Sequence, residues 1–279
     1  MVHEAAMHES NRGSSFVTLT YREKSHGGAQ GGKHVPEDWS LDKRHFQLFM
    51  KRLRKARPGD SIKYYHCGEY GSRCRHGVEL EEGECPYECK VGRPHYHACV
   101  FNCSFPDKFA YAKQGDRIRY TSPELEKLWG YGFVDVGEVT MESAAYVARY
   151  CVKKIGGVNA EDHYSSVDDR TGEIVSVEPE YSTMSNGLGL EWYRKFKDDV
   201  FPSGEVPVPG SKGRIYRKVP RYYDELLRKD EEETYESIKA KRKEFALENA
   251  EEYSGERLLT KFNVSKARQK LFAERNLKS

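Results

Sequence analysis

Two histidines at strand spacing and two tyrosines at helix spacing are the residues of this chain whose types and positions could do chemistry together. His95 and His97 stand in Arg93-Pro94-His95-Tyr96-His97-Ala98-Cys99. Alternate side chains of a strand share a face, so the two imidazoles project the same way, about 6.6 Å apart along the strand. So placed, they can converge on one divalent cation. Glu69, in Cys67-Gly68-Glu69-Tyr70-Gly71, is the carboxylate best situated to be a third ligand. Two imidazoles and a carboxylate leave open coordination positions that substrate oxygens can fill. An isolated His-x-His pair is a weak signal, and its weight depends on what else points at it.

Tyr146 and Tyr150 lie in Thr140–Gly157, which reads as a helix. Thr140 can cap it, Glu142 suits its first turn, Lys153 and Lys154 suit its last, and Gly156-Gly157 stops it. On a helical wheel Ala144, Val147, Ala148, Cys151 and Ile155 form an apolar face, with Tyr146, Arg149, Tyr150 and Lys153 opposite. The two phenols are then about 6 Å apart along the axis. Taken alone, packing under a neighbouring loop is the simpler role for both. Beside a metal another role opens. A phenol has a pKa of about 10, and nearby Lys or Arg charge favours its phenolate. Attack on phosphorus would give a phosphotyrosine that keeps the bond energy for rejoining without ATP. Two tyrosines one turn apart can take turns at the same metal.

The elements that must position these residues follow in order. Phe16–Tyr21 alternates and is a strand. Ser25–His34 is a Gly-rich loop. Ser40 caps a helix to about Ala56, with Phe46, Phe49, Met50 and Leu53 on its apolar stripe and Lys43, Arg44, Lys51, Arg52, Arg54 and Lys55 on its polar side. Ser61–Cys67 is a second strand, a hydrophilic insertion runs from about Ser72 to Gly92, and Pro94–Asn102 is a third strand. Ser122-Pro123-Glu124 opens a short helix closed by Gly130, and Phe133–Val139 is a fourth strand. Strand, helix, strand, strand, helix, strand is the element order of the split βαβ, ferredoxin-like α+β fold, an antiparallel sheet with two helices on one face. Its other face stays open for the tyrosine helix. Asn159–Ser185 reads as loop-rich, Leu190–Val200 as a short helix, Phe201–Pro220 as a linker, and Arg221–Ser279 as a charged helical arm. The expected organisation is a catalytic domain over 1–200, a linker over 201–220 and the arm over 221–279.

The 279 residues carry 46 Lys+Arg against 44 Asp+Glu, a net charge of +2, so bulk charge decides nothing about nucleic acid. No apolar run is long enough to cross a bilayer and no signal peptide precedes the first strand, so no membrane partner is expected and an intracellular location is. The 7 cysteines argue for thiols or metal ligands rather than a disulfide framework. Cys74, His76, Cys85 and Cys89 could form a small zinc site in the insertion. Their spacing matches no common knuckle, which favours ordinary reduced surface cysteines.

Together these motifs resemble the HUH (His-hydrophobic-His) rolling-circle replication initiators, and within them the gokushovirus-type initiators of the Microviridae, small single-stranded DNA phages. The likeness runs in order through Phe16–Tyr21, Phe46–Lys55, Cys67–Gly71, Arg93–Ala98, Glu142–Lys154 and Pro220–Asp224. It implies Tyr146 and Tyr150 as nucleophiles, Lys153 as their basic companion, His95 and His97 as ligands of Mg²⁺ or Mn²⁺, and, less firmly, Glu69 as the third. It implies a metal-dependent nicking and joining enzyme acting on single-stranded or extruded origin DNA in the cytoplasm of a bacterial host. Such an enzyme keeps the 5′ end on a tyrosine and leaves a 3′-OH primer, with host helicase and polymerase as candidate partners. Relatives carry a cysteine-rich segment upstream of the stretch that begins here at His3. DNA contacts are expected from Arg93, Arg149, Lys154, Arg52 and Lys55, whose phosphate pairing would be salt-dependent. Tyr64, Tyr65 and Tyr96 could stack bases, although sheet core is the simpler role for each. Two other readings stay open: a non-catalytic, zinc-containing nucleic-acid-binding protein, and a plasmid initiator, relaxase or transposase with the same chemistry.

Overall fold

The alternation along Phe16–Tyr21 exists because its two sets of side chains join different layers. The computed structural model describes residues 1–22, 35–36, 38–80, 83–86, 89–114, 117–153, 155–167, 171–201, 203–210 and 213–277. Helix α1 (Val2–Ala6) precedes strand β1 (Ser14–Thr20), helix α2 (Lys43–Ala56) and strands β2 (Lys63–Tyr70) and β3 (Pro94–Phe101). Strands β4 (Phe109–Gln114) and β5 (Arg117–Thr121), helix α3 (Pro123–Trp129), strand β6 (Val134–Glu138) and helix α4 (Met141–Lys153) follow. Next come α5 (Asn159–His163), β7 (Ser165–Val167), β8 (Ile174–Ser176), β9 (Tyr181–Met184) and α6 (Leu190–Val200). The remaining elements are β10 (Glu205–Gly210), β11 (Gly213–Lys218), α7 (Arg221–Asp230), α8 (Glu232–Glu248) and α9 (Gly255–Leu277), with a 3₁₀ turn at Ala250–Tyr253. Two compact units result, Met1–Lys113 with Ile118–Trp192, and Gln114–Arg117 with Tyr193–Ser279.

The first unit is a mixed α+β structure around a five-stranded sheet of order β6-β1-β3-β2-β9. Every neighbouring pair is antiparallel. On one face Val17, Leu19, Tyr96, Ala98 and Val100 meet Phe46, Phe49, Met50 and Leu53 of α2 and Leu125 and Trp129 of α3. Burying each such side chain favours folding by about 1.5–3 kcal/mol. The opposite face presents Phe16, Tyr65, Cys67, Cys99 and Phe101, and Val147 and Tyr146 of α4 pack on it. Odd and even positions of β1 and β3 therefore serve different layers, as the pleat requires.

The helix ends obey local chemistry. Ser122 Oγ accepts the Leu125 amide at 3.1 Å, and Gly130 closes α3 in the left-handed region at φ 69°. Thr140 Oγ1 accepts the Ser143 amide at 3.2 Å, and Ser143 Oγ accepts the Thr140 amide at 2.8 Å. That reciprocal pair starts α4 at the expected place.

Several expectations need correction. The cap of α2 is Asp42, whose carboxylate accepts the Arg44 amide at 2.7 Å. Ser40 Oγ instead accepts the Glu178 amide at 2.8 Å, tying the segment before α2 to a distant loop. Asn159–Ser185 is not loop alone: β7 and β8 pair within it, and β9 extends the sheet beside β2. Phe201–Pro220 contains the hairpin β10–β11, in which Pro207 and Pro209 alternate with valines. A strand that pairs on one side only tolerates the missing amides. The hairpin of β4 and β5 was not foreseen. Of the helical arm, α7 buries Tyr223 and Leu227, and Tyr193 Oη donates to Asp230 at 3.1 Å within the second unit. The expected loop at Ser25–His34 lies outside the described residues.

Candidate metal centres

The β2–β3 pairing brings the chemistry-bearing residues together. Its register sets Glu69 opposite His95 and Cys67 opposite His97, so a carboxylate and two imidazoles emerge on one sheet face. One carboxylate oxygen of Glu69 lies 2.7 Å from His95 Nε2 and 2.8 Å from His97 Nε2. The outer ring nitrogens are held as well. His95 Nδ1 is 3.0 Å from the Arg93 carbonyl, and His97 Nδ1 is 2.9 Å from Thr18 Oγ1 on β1. A carbonyl only accepts, so the His95 Nδ1 proton sits there and the Nε2 lone pair faces the cluster.

Glu69 and His97 are buried among these groups. Burial alone would push the Glu69 carboxyl up, but hydrogen bonds and charge from His95 and His97 outweigh it and hold it below the usual carboxylate range. Burial pushes His97 down, opposed by its hydrogen bond to Glu69. An ionised carboxylate and a neutral imidazole are the ligand forms of both residues. The second oxygen of Glu69 is buried and accepts no hydrogen bond among the described residues, which leaves an acceptor pair for a cation. Glu69, His95 and His97 thus fit a small divalent ion with positions to spare.

Helix α4 crosses the same face. The Tyr146 ring stands edge-on to His97 with centroids 5.1 Å apart, and edge-on to Phe16 at 6.2 Å. It is half-buried against the sheet rather than turned away from the apolar side of the helix, as the wheel suggested. The reason is position: Tyr146 neighbours the buried Val147, only about 100° round the axis. Tyr150 and Lys153 lie on α4, where only the backbone is described, and Lys154 lies outside the described residues.

The expected DNA-contacting residues do not form one surface. Arg93 donates to the Tyr21 carbonyl at 2.8 Å beside the His/Glu cluster, and Arg149 is exposed on α4. Arg52 and Lys55 belong to α2, which packs on the other face of the sheet. Arg52 donates to the carbonyls of Leu128 and Trp129 at 2.6 Å each, so it closes the end of α3. Tyr96 and Tyr65 are core, not stacking surfaces. The Tyr96 hydroxyl accepts the Asp42 amide at 3.0 Å and shares a 2.7 Å hydrogen bond with Tyr21. His66, stacked on Phe46 at 3.5 Å, is a neutral core histidine that burial pushes down to about 3.

A second cluster lies in the insertion between β2 and β3. Ligand atoms of Cys74, His76, Cys85 and Cys89 all fall within 4.8 Å of one another. His76 Nδ1 is 3.5 Å from Cys85 Sγ and 3.2 Å from Cys89 Sγ. Cys74 and Cys85 are buried, so these are not ordinary surface cysteines. The sequence hid this because the tertiary path, not a standard spacing, gathers them. Burial, with Cys85 and Cys74 beside it, pushes the Cys89 thiol up to about 12. A divalent cation supplies the compensating charge that lets such thiols ionise. Three thiols and one imidazole suit a closed tetrahedral zinc site.

The insertion joins the sheet through a tight base. The Gly71 amide donates to the Arg93 carbonyl at 2.9 Å, and the Arg93 amide to the Arg73 carbonyl at 3.0 Å. A Cβ on Gly92 would sit 1.7 Å from the Gly71 carbonyl oxygen, so only glycine allows this approach. Among the described residues no helix is long and apolar enough to cross a membrane.

Known proteins share these elements. The family model described as Replication-associated protein ORF2 matches residues 14–77 and 82–155, a span from β1 through α4. Replication-associated protein VP4 of Bdellovibrio phage phiMH2K is 31% identical over 259 residues, covering 88% of this chain and 67% of the relative. Replication-associated protein ORF2 of Spiroplasma virus 4 is 31% identical over 240 residues, covering 83% and 63%. Replication-associated protein ORF4 of Chlamydia phage 1 is 30% identical over 235 residues, covering 81% and 48%. This chain therefore spans between about half and two thirds of the length of these relatives. No solved structure matches it. With its matched segments holding the whole His/Glu cluster, the chain belongs to the family of replication-associated protein ORF2.

Proposed function

We propose that the chain is an HUH rolling-circle replication initiator of a gokushovirus-type microvirus, which nicks and rejoins single-stranded DNA at the phage origin. The observation that carries this reading is the convergence of His95 and His97 on Glu69 with the Tyr146 ring edge-on to His97. The strand order β6-β1-β3-β2, with α2 and α3 on one face, supports the split βαβ, ferredoxin-like frame.

Glu69, His95 and His97 would hold Mg²⁺ or Mn²⁺, which when bound supplies Lewis-acid polarisation of a phosphodiester. Tyr146 or Tyr150 acts as nucleophile. Its phenolic oxygen bonds to phosphorus, the bond from phosphorus to the 3′ oxygen breaks, and the phenolic proton is lost as the leaving oxygen gains one. The 5′ end stays on tyrosine and the freed 3′-OH can prime a host polymerase. Joining is the reverse attack by a 3′-OH on the phosphotyrosine. Lys153 is assigned to stabilise the phenolate, and Thr18 and the Arg93 carbonyl hold the imidazoles in orientation. Zn²⁺ in Cys74, His76, Cys85 and Cys89 would be structural. The work would take place in the cytoplasm of the bacterial host, with origin DNA and a host helicase as partners.

Origin-containing single-stranded DNA incubated with Mg²⁺ or Mn²⁺ tests this. The expected result is a denaturation-resistant DNA–protein adduct, absent with chelator and absent from Tyr146→Phe combined with Tyr150→Phe. No adduct from any fragment of the circular genome under either metal overturns it. The competing non-catalytic reading expects that double variant to keep every activity, because both rings remain.

A further inference from the structure

Phe133 is a large apolar side chain left 53% exposed at the edge of the sheet, immediately before two buried neighbours in the strand, Val134 and Val136. Those valines join the core with α2 and α3, so alternation turns Phe133 and Asp135 to the opposite face, which carries the His/Glu cluster. The register extends this. Glu69 pairs with His95, His95 pairs with Thr20, and the Thr20 amide and hydroxyl both donate to the Phe133 carbonyl, at 2.9 and 3.1 Å. Glu69, His95, Thr20 and Phe133 thus form one row across the sheet, with Phe133 two strand spacings, about 10 Å, from His95.

The placement is enforced by backbone packing. A Cβ on Gly132 would lie 2.3 Å from the Arg22 amide nitrogen and 2.5 Å from the Thr20 carbonyl oxygen. Only glycine lets the chain press this close and deliver Phe133 to its row. A cation accompanies the ring: the Arg22 guanidinium lies 5.0 Å from its centroid.

The next row repeats the arrangement. Asp135 pairs with Thr18, and Thr18 with His97. The Tyr111 hydroxyl on β4 donates to Asp135 at 2.6 Å, and Arg119 on β5 forms an ion pair with the same carboxylate. Arg119 also stands over the Tyr111 ring at 5.5 Å, and that ring is 46% exposed. Two aromatic rings, each with an arginine against it, therefore border the two rows that hold the candidate metal ligands.

We propose that Phe133 with Arg22, extended by Tyr111 with Arg119, is a base-stacking platform for the single-stranded DNA that flanks the scissile phosphate. Single-stranded nucleic acid offers unstacked π-faces to aromatic rings and phosphates to arginines, and this surface presents both on the face of the cluster. The proposal deepens the reading above and rests on it for the identity of the occupant.

The test measures binding apart from chemistry. Full-length protein is titrated, with chelator present, against a fluorescent oligo(dT) of about 15 nucleotides, a length within the span of single-strand sites. Phe133→Ala weakens binding about tenfold or more, Phe133→Trp keeps it within about twofold, and Tyr111→Ala adds a further loss to Phe133→Ala. Thermal midpoints of all variants are compared with the parent, and Phe133→Ser serves where Phe133→Ala does not fold. Unchanged affinity in folded Phe133→Ala combined with Tyr111→Ala overturns the platform and leaves the exposed rings to a protein partner. The two readings fail separately. An absent adduct in the parent sinks nicking without touching the stacking result, whereas normal adduct formation with unchanged oligonucleotide affinity sinks the platform alone.

Discussion

The hairpin of β2 and β3 carries two candidate metal clusters built on opposite plans. At its base, Glu69, His95 and His97 stand on paired strands, and main-chain hydrogen bonds set their separation before any ion arrives. At its far end, Cys74, His76, Cys85 and Cys89 stand on irregular chain, where ladder pairing gives way to the single bridge of Arg73 with Glu79. The donors differ in the same sense. Oxygen and nitrogen with open positions suit a hard ion and a substrate, whereas three sulfurs and a nitrogen complete a tetrahedron and leave no position for one. The first cluster is organised by the sheet to do chemistry; the second organises its own loop. Rigid scaffolding and ligand softness thus separate a reactive centre from a structural one within a single hairpin.

The largest expected effect falls on the first cluster. His95→Gln removes a ligand at a partly buried position and should lower adduct formation by about a thousandfold or more, since metal polarisation is worth several kcal/mol. The far-ultraviolet spectrum should not change, because the strands hold themselves. A variant that loses its sheet signal would break the comparison.

Cys85→Ser addresses the second cluster. The parent should carry one equivalent of zinc by elemental analysis and the variant none, with adduct formation reduced only about tenfold. That is the size expected of a support that orients ligands rather than being one. Proteolysis should turn toward residues 72–92 in the variant. Equal zinc in both proteins would remove the structural assignment.

A third buried polar group calibrates the other two, because its partners lie within the protein. Glu4 is fully buried, with Lys63 at 2.9 Å, His8 at 3.2 Å and the Gly189 amide at 2.6 Å. Burial alone would raise its carboxyl, but the Gly189 amide, Lys63 and His8 outweigh that and hold it below the usual range. A carboxylate depressed in the folded state stabilises above its unfolded value, so this contribution is full at neutral pH. It is lost as the pH falls through the folded value. Glu4→Ala should cost about 2–3 kcal/mol in urea unfolding at neutral pH, below the full penalty for a broken buried pair because Lys63 can reach water. The difference from the parent should shrink in acid.

The smallest effect is expected on the other side of the sheet. Arg52→Lys loses the paired bonds to the Leu128 and Trp129 carbonyls and should destabilise by about 1–2 kcal/mol. Its salt dependence of oligonucleotide binding should match the parent. A shallower salt slope would instead assign Arg52 to phosphate.

Much of the frame was legible because local signals and tertiary demands agreed. Alternation in β1 and β3, the cap at Ser122, the stop at Gly130 and the cap at Thr140 each rest on neighbours in sequence. The signals failed where the deciding partner was distant. β9 is a short polar segment that becomes a strand only because β2 offers an unpaired edge. The β10–β11 hairpin was masked by its prolines. The long side chain of Arg52 looked like solvated charge because the carbonyls it closes belong to a helix more than seventy residues away.

By itself the sequence determined which residues could react: a His-x-His pair at strand spacing, tyrosines one helical turn apart, and a carboxylate one strand earlier. Periodicity is a local property, so it survives without a structure. What only the tertiary structure decided was convergence. Register brought Glu69 to both imidazoles, the crossing of α4 set Tyr146 against His97, and the path of the insertion gathered three thiols around His76. These distances depend on strand pairing and helix packing between segments remote in sequence, and no local pattern carries that information.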